Sequence, residues 1–273
     1  NVKLDGVGKY RYTVHVEPPK NANEGGINRL VDRENGISWW APFDVSWNFT
    51  YLGIGKIGTI GAKVFGATVE ITTHRAEVYH PASRKPEVTF STNIIDDLAR
   101  RDFTVNAMAL EVTGSAPELI DPFEGAADLA ASRLVTPSGP HISFGEDPLR
   151  MMRAARFIAS HGLVPDDDIV AACTEMAERL SIVSAERIRD ELNKLIVVPD
   201  PSPGLWFLHD TNLADQFFPE LPAMRVEQDP IHRHKDVLAH TIAVVAKTQP
   251  ELIVRLGALF HDVGKPDTRS FDS

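Results

Sequence analysis

The sequence predicts an α+β chain in which a small mixed-sheet head precedes an all-α region. Three patterns carry that prediction. Residues 67–73 alternate, with Thr68, Glu70 and Thr72 on one side and Val69 and Ile71 on the other, the period of a strand with one polar face. Apolar runs at 105–112 and 118–121 flank the turn-forming Thr113-Gly-Ser-Ala-Pro117, and 134–136 reads as a further short strand. After Pro140 the apolar spacing is helical throughout.

In chain order, residues 1–52 are rich in Gly, Asn and Trp and hold neither period, so they remain an unassigned, atypical N-terminal segment. The strands follow. Pro148 suits the first turn of a helix with Asp147 as its N-cap, and that helix is expected to reach about Ser160, before His161-Gly162. Further helices are expected at 166–180, 184–195, 235–248 and 250–264.

With 273 residues, 43% of them hydrophobic and 24% charged, the chain can bury a real core divided between two or three units. One cysteine, Cys173, excludes an internal disulfide framework. No apolar run is long enough to span a bilayer and no secretory start is present, so no membrane partner is expected and the cytoplasm is the expected compartment. A formal net charge of -10 argues against a protein that coats nucleic acid through bulk positive charge. RNA contact is then left to local patches: Arg100-Arg101, the arginines at 150, 153 and 156, and Arg84-Lys85, for which a solvated face is the default reading.

Two segments carry chemistry. Asp97-Leu-Ala-Arg-Arg-Asp-Phe-Thr-Val-Asn-Ala107 gathers Arg100, Arg101, Asp102 and Asn106 ahead of an apolar run. Guanidinium groups fork onto phosphate oxygens, and a carboxylate accepts from a ribose hydroxyl. A charged loop with a capping Asp fits the same residues. In Gly145-Glu-Asp-Pro-Leu-Arg-Met-Met-Arg-Ala-Ala-Arg-Phe157, Arg150, Arg153 and Arg156 form one cationic stripe, with Glu146 and Asp147 at its amino end. A carboxylate beside a guanidinium accepts from an exocyclic amine and donates to ring acceptors, a set that takes C and A and rejects U and G. The bland alternative is an amphipathic surface helix with an Asp147–Arg150 ion pair.

The run Arg100-Arg-Asp-Phe-Thr-Val-Asn-Ala107, the phrase Ile120-Asp-Pro-Phe123, then Glu146-Asp-Pro-Leu-Arg150 and Ser184-Ala-Glu-Arg-Ile-Arg-Asp-Glu-Leu-Asn-Lys194 occur in family order. Over residues 53–273 the chain resembles the bacterial-type (class II) tRNA CCA-adding nucleotidyltransferase and poly(A) polymerase family. The resemblance implies a nucleotidyltransferase head at 53–140, incomplete here, a helical neck and tRNA-binding region at 141–225, and the start of a truncated HD domain at 226–273. It implies template-independent transfer of CMP and AMP from CTP and ATP to the 3′ end of tRNA, with Mg2+ in the head.

Residue by residue, Arg101 and Asp102 match the segment that holds triphosphate and ribose, with Arg100 and Asn106 beside them. Glu146, Asp147 and Arg150 match the protein template for the incoming base, and Arg153 and Arg156 match further nucleotide-contacting arginines. Glu70 matches a catalytic, metal-binding carboxylate, although by its strand position alone it fits a solvent-exposed residue equally well. His232, His234 and His240 precede His261-Asp262-Val-Gly-Lys-Pro266. His240, His261 and Asp262 match an HD-type site for a divalent transition metal, incomplete because the family's further Asp lies beyond Ser273 and Asp267 and Asp272 stand too close to replace it.

One departure bears on activity. The family places a Gly-Gly-x-Val-Arg-Asp loop and an Asp-x-Asp pair before the Glu70 strand, where the nearest phrases are Gly25-Gly-Ile-Asn-Arg29 and Asp44-Val-Ser46. Without paired carboxylates to organise two metal ions, transfer by this chain is expected to be impaired. An HD-type phosphohydrolase and a catalytically degenerate RNA-binding remnant are the alternatives.

Overall fold

The structure, a computed structural model, describes residues 93–111, 117–226 and 236–268 in full, and the backbone of the paired strands between 27 and 90. Those strands form antiparallel pairs: β1 (Ile27–Asp32) with β2 (Ile37–Pro42), β3 (Thr59–Val64) with β4 (Ala67–Thr72), and β5 (Arg75–His80) with β6 (Ser83–Phe90). The alternating segment is thus β4, in which Glu70 stands opposite Gly61. The side chains of Glu70, Arg84 and Lys85 lie outside the described residues, as do Gly25-Gly26, Asp44–Ser46, His232 and His234.

Helix α1 (Ile94–Ala99) follows, then the antiparallel pair β7 (Ala109–Glu111) and β8 (Glu118–Ile120), α2 (Gly125–Ala130), β9 (Arg133–Leu134), α3 (Pro140–Glu146) and α4 (Leu149–His161). Next come β10 (Val164–Pro165), parallel to β9, and α5 (Asp167–Glu175), α6 (Ala185–Ile196), α7 (Ser202–Asp210) and α8 (Glu220–Ala223). The chain then forms α9 (Val237–Lys247), α10 (Leu252–Phe260) and α11 (Lys265–Thr268). Among the described residues no helix is long and apolar enough to cross a membrane.

Several expectations need correction. The run 105–112 does not begin as a strand. Thr104–Asn106 is a 3₁₀ turn, because Asp102 Oδ1 accepts from both the Phe103 N–H (2.9 Å) and Asn106 Nδ2 (3.2 Å) and draws the chain into a tight loop. Among the described residues of that run, only Ala109–Glu111 is strand. The helix expected over 166–180 ends at Glu175 and tightens into a 3₁₀ segment, Ala177–Ile182, which buries Ala177 and Leu180. The last long helix stops at Phe260, so His261 and Asp262 occupy the turn after it rather than a helix. Among the described helices, α1, α2, α3, α7, α8 and α11 have no separate sequence assignment.

The fold is built around α4. Its inner face, including Met151, Met152, Ala154, Ala155 and Phe157, is buried, and α6 and α7 pack against it. Pro148 takes the N-cap position, and the Asp147 side chain still accepts the Leu149 N–H at 3.2 Å. At the far end Gly162 adopts the left-handed conformation that stops the helix (φ 64°). One apolar core extends from Phe103 through α4–α7 to Val237, Val245 and Leu259 of α9 and α10. α7 approaches α4 closely because Gly204 has no side chain. A Cβ there would lie 2.5 Å from the Ala155 carbonyl oxygen and 2.5 Å from Leu195 Cδ1. Gly204→Ala is therefore expected to destabilise the chain by about 1–3 kcal/mol, read as a lower urea midpoint with an unchanged slope.

Candidate nucleotide-binding cleft

The turn after α1 supplies one wall of a cleft of about 460 Å³, and the start of α4 supplies the other. Of the nine residues expected to bind nucleotide, Arg100, Arg101, Asp102, Asn106, Asp147, Arg150 and Arg153 line it. Glu146 and Arg156 do not. With Arg187 of α6, five arginines face two aspartates, so the cleft is locally cationic in a chain of net charge -10.

The first wall is set by Asp97, which is 3% exposed. Its Oδ1 accepts from Arg100 Nη2 (2.5 Å) and Nε (3.2 Å), and its Oδ2 from Arg101 Nη2 (2.9 Å). The spacing of three and four residues on one helical turn makes this double grip possible. Burial raises the Asp97 carboxyl, but the two guanidinium groups outweigh it and leave it below its ordinary value. Asp102, also buried, accepts from Arg153 Nε at 2.7 Å, so the two nucleotide segments are already joined across the cleft.

Arg150 fixes the second wall. It is 7% exposed, and its Nη1 donates to the Ser143 carbonyl (3.2 Å), Ser143 Oγ (3.0 Å) and Glu146 Oε2 (3.1 Å). Its Nη2 donates to the Arg100 carbonyl at 2.5 Å. Glu146 accordingly orients Arg150 from beside the cleft. The ion pair weighed between Asp147 and Arg150 is absent among the described contacts; Asp147 Oδ2 accepts instead from Arg187 Nη2 at 2.8 Å. Arg156 turns away from the cleft and donates Nε to Glu191 Oε2 at 2.7 Å, with its guanidinium 4.8 Å from the Phe157 ring centroid. The stripe of three arginines therefore divides, because helical spacing leaves 156 rotated towards α6.

Sequence reasoning missed Asp97, Arg187 and Glu191. Signals existed for each: Asp97 stands three and four residues before two arginines, and Arg187 and Glu191 are a turn apart in the family-like run 184–194. At the other end of the chain His240, His261 and Asp262 come together, each offering a ligand atom within 4.8 Å of the others. His261 Nδ1 lies 2.7 Å from the Ala258 carbonyl oxygen, and its Nε2 lies 3.2 Å from Asp262 Oδ2. Lys265 Nζ also reaches that oxygen, at 2.7 Å.

Comparison with known proteins fits this geometry. Residues 45–135 match the family described as Poly A polymerase head domain, and 162–224 match Probable RNA and SrmB- binding site of polymerase A. The CCA-adding enzyme of Lactobacillus johnsonii is 37% identical over 175 residues, 64% of this chain and 42% of that protein. That of Geobacillus sp. (strain WCH70) is 38% identical over 173 residues, 63% and 41% respectively. The chain is therefore similar to bacterial CCA-adding enzymes across its head and RNA-binding regions. Among solved structures, the Bacillus stearothermophilus CCA-adding enzyme in complex with CTP superposes with a TM-score of 0.59 at 29% identity, covering 77% of this chain and 48% of that one. The chain thus spans about two fifths of the length of these curated family members. Residues 1–53 match a different family, described as Fe2+ transport protein.

Asp97 gives a pH test. Because its folded value lies below the ordinary 3.8, its contribution to stability is complete above that pH and is lost as the pH falls through the lower folded value. Asp97→Asn is expected to cost about 1.5–3 kcal/mol at neutral pH. The gap between wild type and variant in urea denaturation should close as the pH is lowered below 3.8.

Proposed function

We propose that the cleft binds CTP and ATP and that the chain serves template-independent transfer of CMP and AMP to the 3′ end of tRNA. The observation that carries this reading is the convergence of Arg100, Arg101, Asp102 and Asn106 with Asp147, Arg150 and Arg153 on one cleft of about 460 Å³, a volume suited to a nucleotide. Arg100 and Arg101 supply donors to the triphosphate, and Asp102 an acceptor for the ribose. Asp147, held at the mouth of α4, accepts from the exocyclic amine that C and A share, while Arg150 stands as the donor beside it. In the transfer, the tRNA 3′ oxygen bonds to the α-phosphorus, the bond to the pyrophosphate oxygen breaks, and the hydroxyl proton is released. A divalent cation, Mg2+ by family resemblance, would stabilise the leaving pyrophosphate, with Glu70 as the matching carboxylate.

Equilibrium binding to the 273-residue chain tests base choice separately from chemistry. CTP and ATP are expected to bind roughly tenfold or more tightly than UTP and GTP, and Asp147→Ala to erase that preference. Equal binding of all four would sink the reading. For transfer, a version carrying the family's Asp-x-Asp motif should extend a tRNA that lacks its CCA end. Supplying CTP and ATP separately and sequencing the ends separates CCA-, CC-, A- and poly(A)-adding behaviour.

The trio His240, His261 and Asp262 favours a second activity, metal-dependent phosphohydrolysis, in which a divalent transition metal held by these three would activate water. Phosphodiesterase activity that depends on added Mn2+, disappears in His261→Ala and persists in Asp147→Ala is the expected outcome.

A further inference from the structure

Behind the cationic wall of the cleft lies Glu191 of α6, 4% exposed. Its Oε2 accepts from Arg156 Nε at 2.7 Å and its Oε1 from Lys194 Nζ at 2.9 Å. The same Oε1 is 4.0 Å from Arg153 Nη1. Arg153 in turn lines the cleft and donates Nε to Asp102 Oδ2 at 2.7 Å. Charge therefore alternates without a break from the cleft inward: Asp102, Arg153, Glu191, Arg156. The Phe157 ring lies beneath both arginines, 5.8 Å from Arg153 Cζ and 4.8 Å from Arg156 Cζ.

Arg153 thus stands between two carboxylates, one at the cleft surface and one behind it. On the reading given above, Asp102 turns part of its hydrogen bonding to a ribose when nucleotide enters. A long, flexible arginine anchored by Asp102 alone would then lose its orientation. We propose that Glu191 is a positioning residue for the nucleotide cleft: its buried charge holds Arg153 from behind, so that the guanidinium stays aimed at the triphosphate. The Arg156, Lys194 and Phe157 contacts keep Glu191 itself in place.

This assignment rests on the cleft taking a nucleoside triphosphate, and it makes an unusual prediction of sign. Simple charge attraction says that neutralising an acid beside the cleft should tighten binding of a polyanion. Positioning says the reverse. Glu191→Gln in the full chain is expected to weaken CTP and tripolyphosphate roughly tenfold or more, with little added loss when combined with Arg153→Lys. A purely structural role would give additive losses. If the Gln variant does not fold, Glu191→Asp keeps the charge but draws it back by one methylene, and is expected to weaken CTP less severely. Unchanged or tighter CTP binding in whichever variant folds overturns the inference.

A wild-type chain that binds neither CTP nor tripolyphosphate would instead overturn the proposed function. The role of Glu191 is then decided without nucleotide, from the Nε–Hε signal of Arg153 in nitrogen-15 NMR. Glu191→Gln should shift that signal and speed its exchange with water; an unmoved signal overturns the inference.

Discussion

The cleft depends on the guanidinium of Arg150, buried where three pieces of chain meet. It bonds the end of α3 through Ser143 and Glu146, belongs itself to α4, and reaches the Arg100 carbonyl fifty residues earlier. A buried arginine is tolerable only with its donors satisfied, so the bonds that solvate this charge also fix the two arginine-rich segments relative to each other. The opposed walls of the cleft follow from that constraint.

Around this joint, the positive cleft is built by placing acids behind arginines. Asp97 grips Arg100 and Arg101, and Glu191 grips Arg156 while facing Arg153. Each acid is almost wholly buried and its arginines are less so, and solvent screens these buried acids poorly. Preorganised donors of this kind bind an anion with less loss of side-chain freedom than loose lysines would. The cleft is therefore locally cationic in a chain that carries a net charge of -10.

A second buried arginine fastens the other end of the helical region. Arg255 of α10 is 1% exposed and donates to the carbonyls of Ile196 and Val198 at 2.6 Å each, with longer bonds to Pro199 and Thr248. These carbonyls lie at or just after the ends of α6 and α9, where helix geometry leaves acceptors without partners. Burial pushes the Arg255 guanidinium below its ordinary value, with Asp200 as the opposing charge. The turn holding His261 and Asp262 is thereby set against the same core that backs the arginine-lined cleft.

The sequence by itself determined what local period and local chemistry control. The strand around Glu70, the helix entered at Pro148 and ended at Gly162, and the two segments rich in arginine and carboxylate were all legible, because each depends on neighbours within a few residues. The 3₁₀ turn at Thr104–Asn106 escaped because one side-chain oxygen overrode an apolar run that otherwise suits a strand. Only the tertiary structure decided which charged residues face the cleft. Arg153 finds Asp102 51 residues away, Asp147 finds Arg187 across 40, and Arg156 leaves the stripe for Glu191 across 35. Helical spacing fixes the direction in which a side chain leaves its own helix. What waits there is set by how the helices pack.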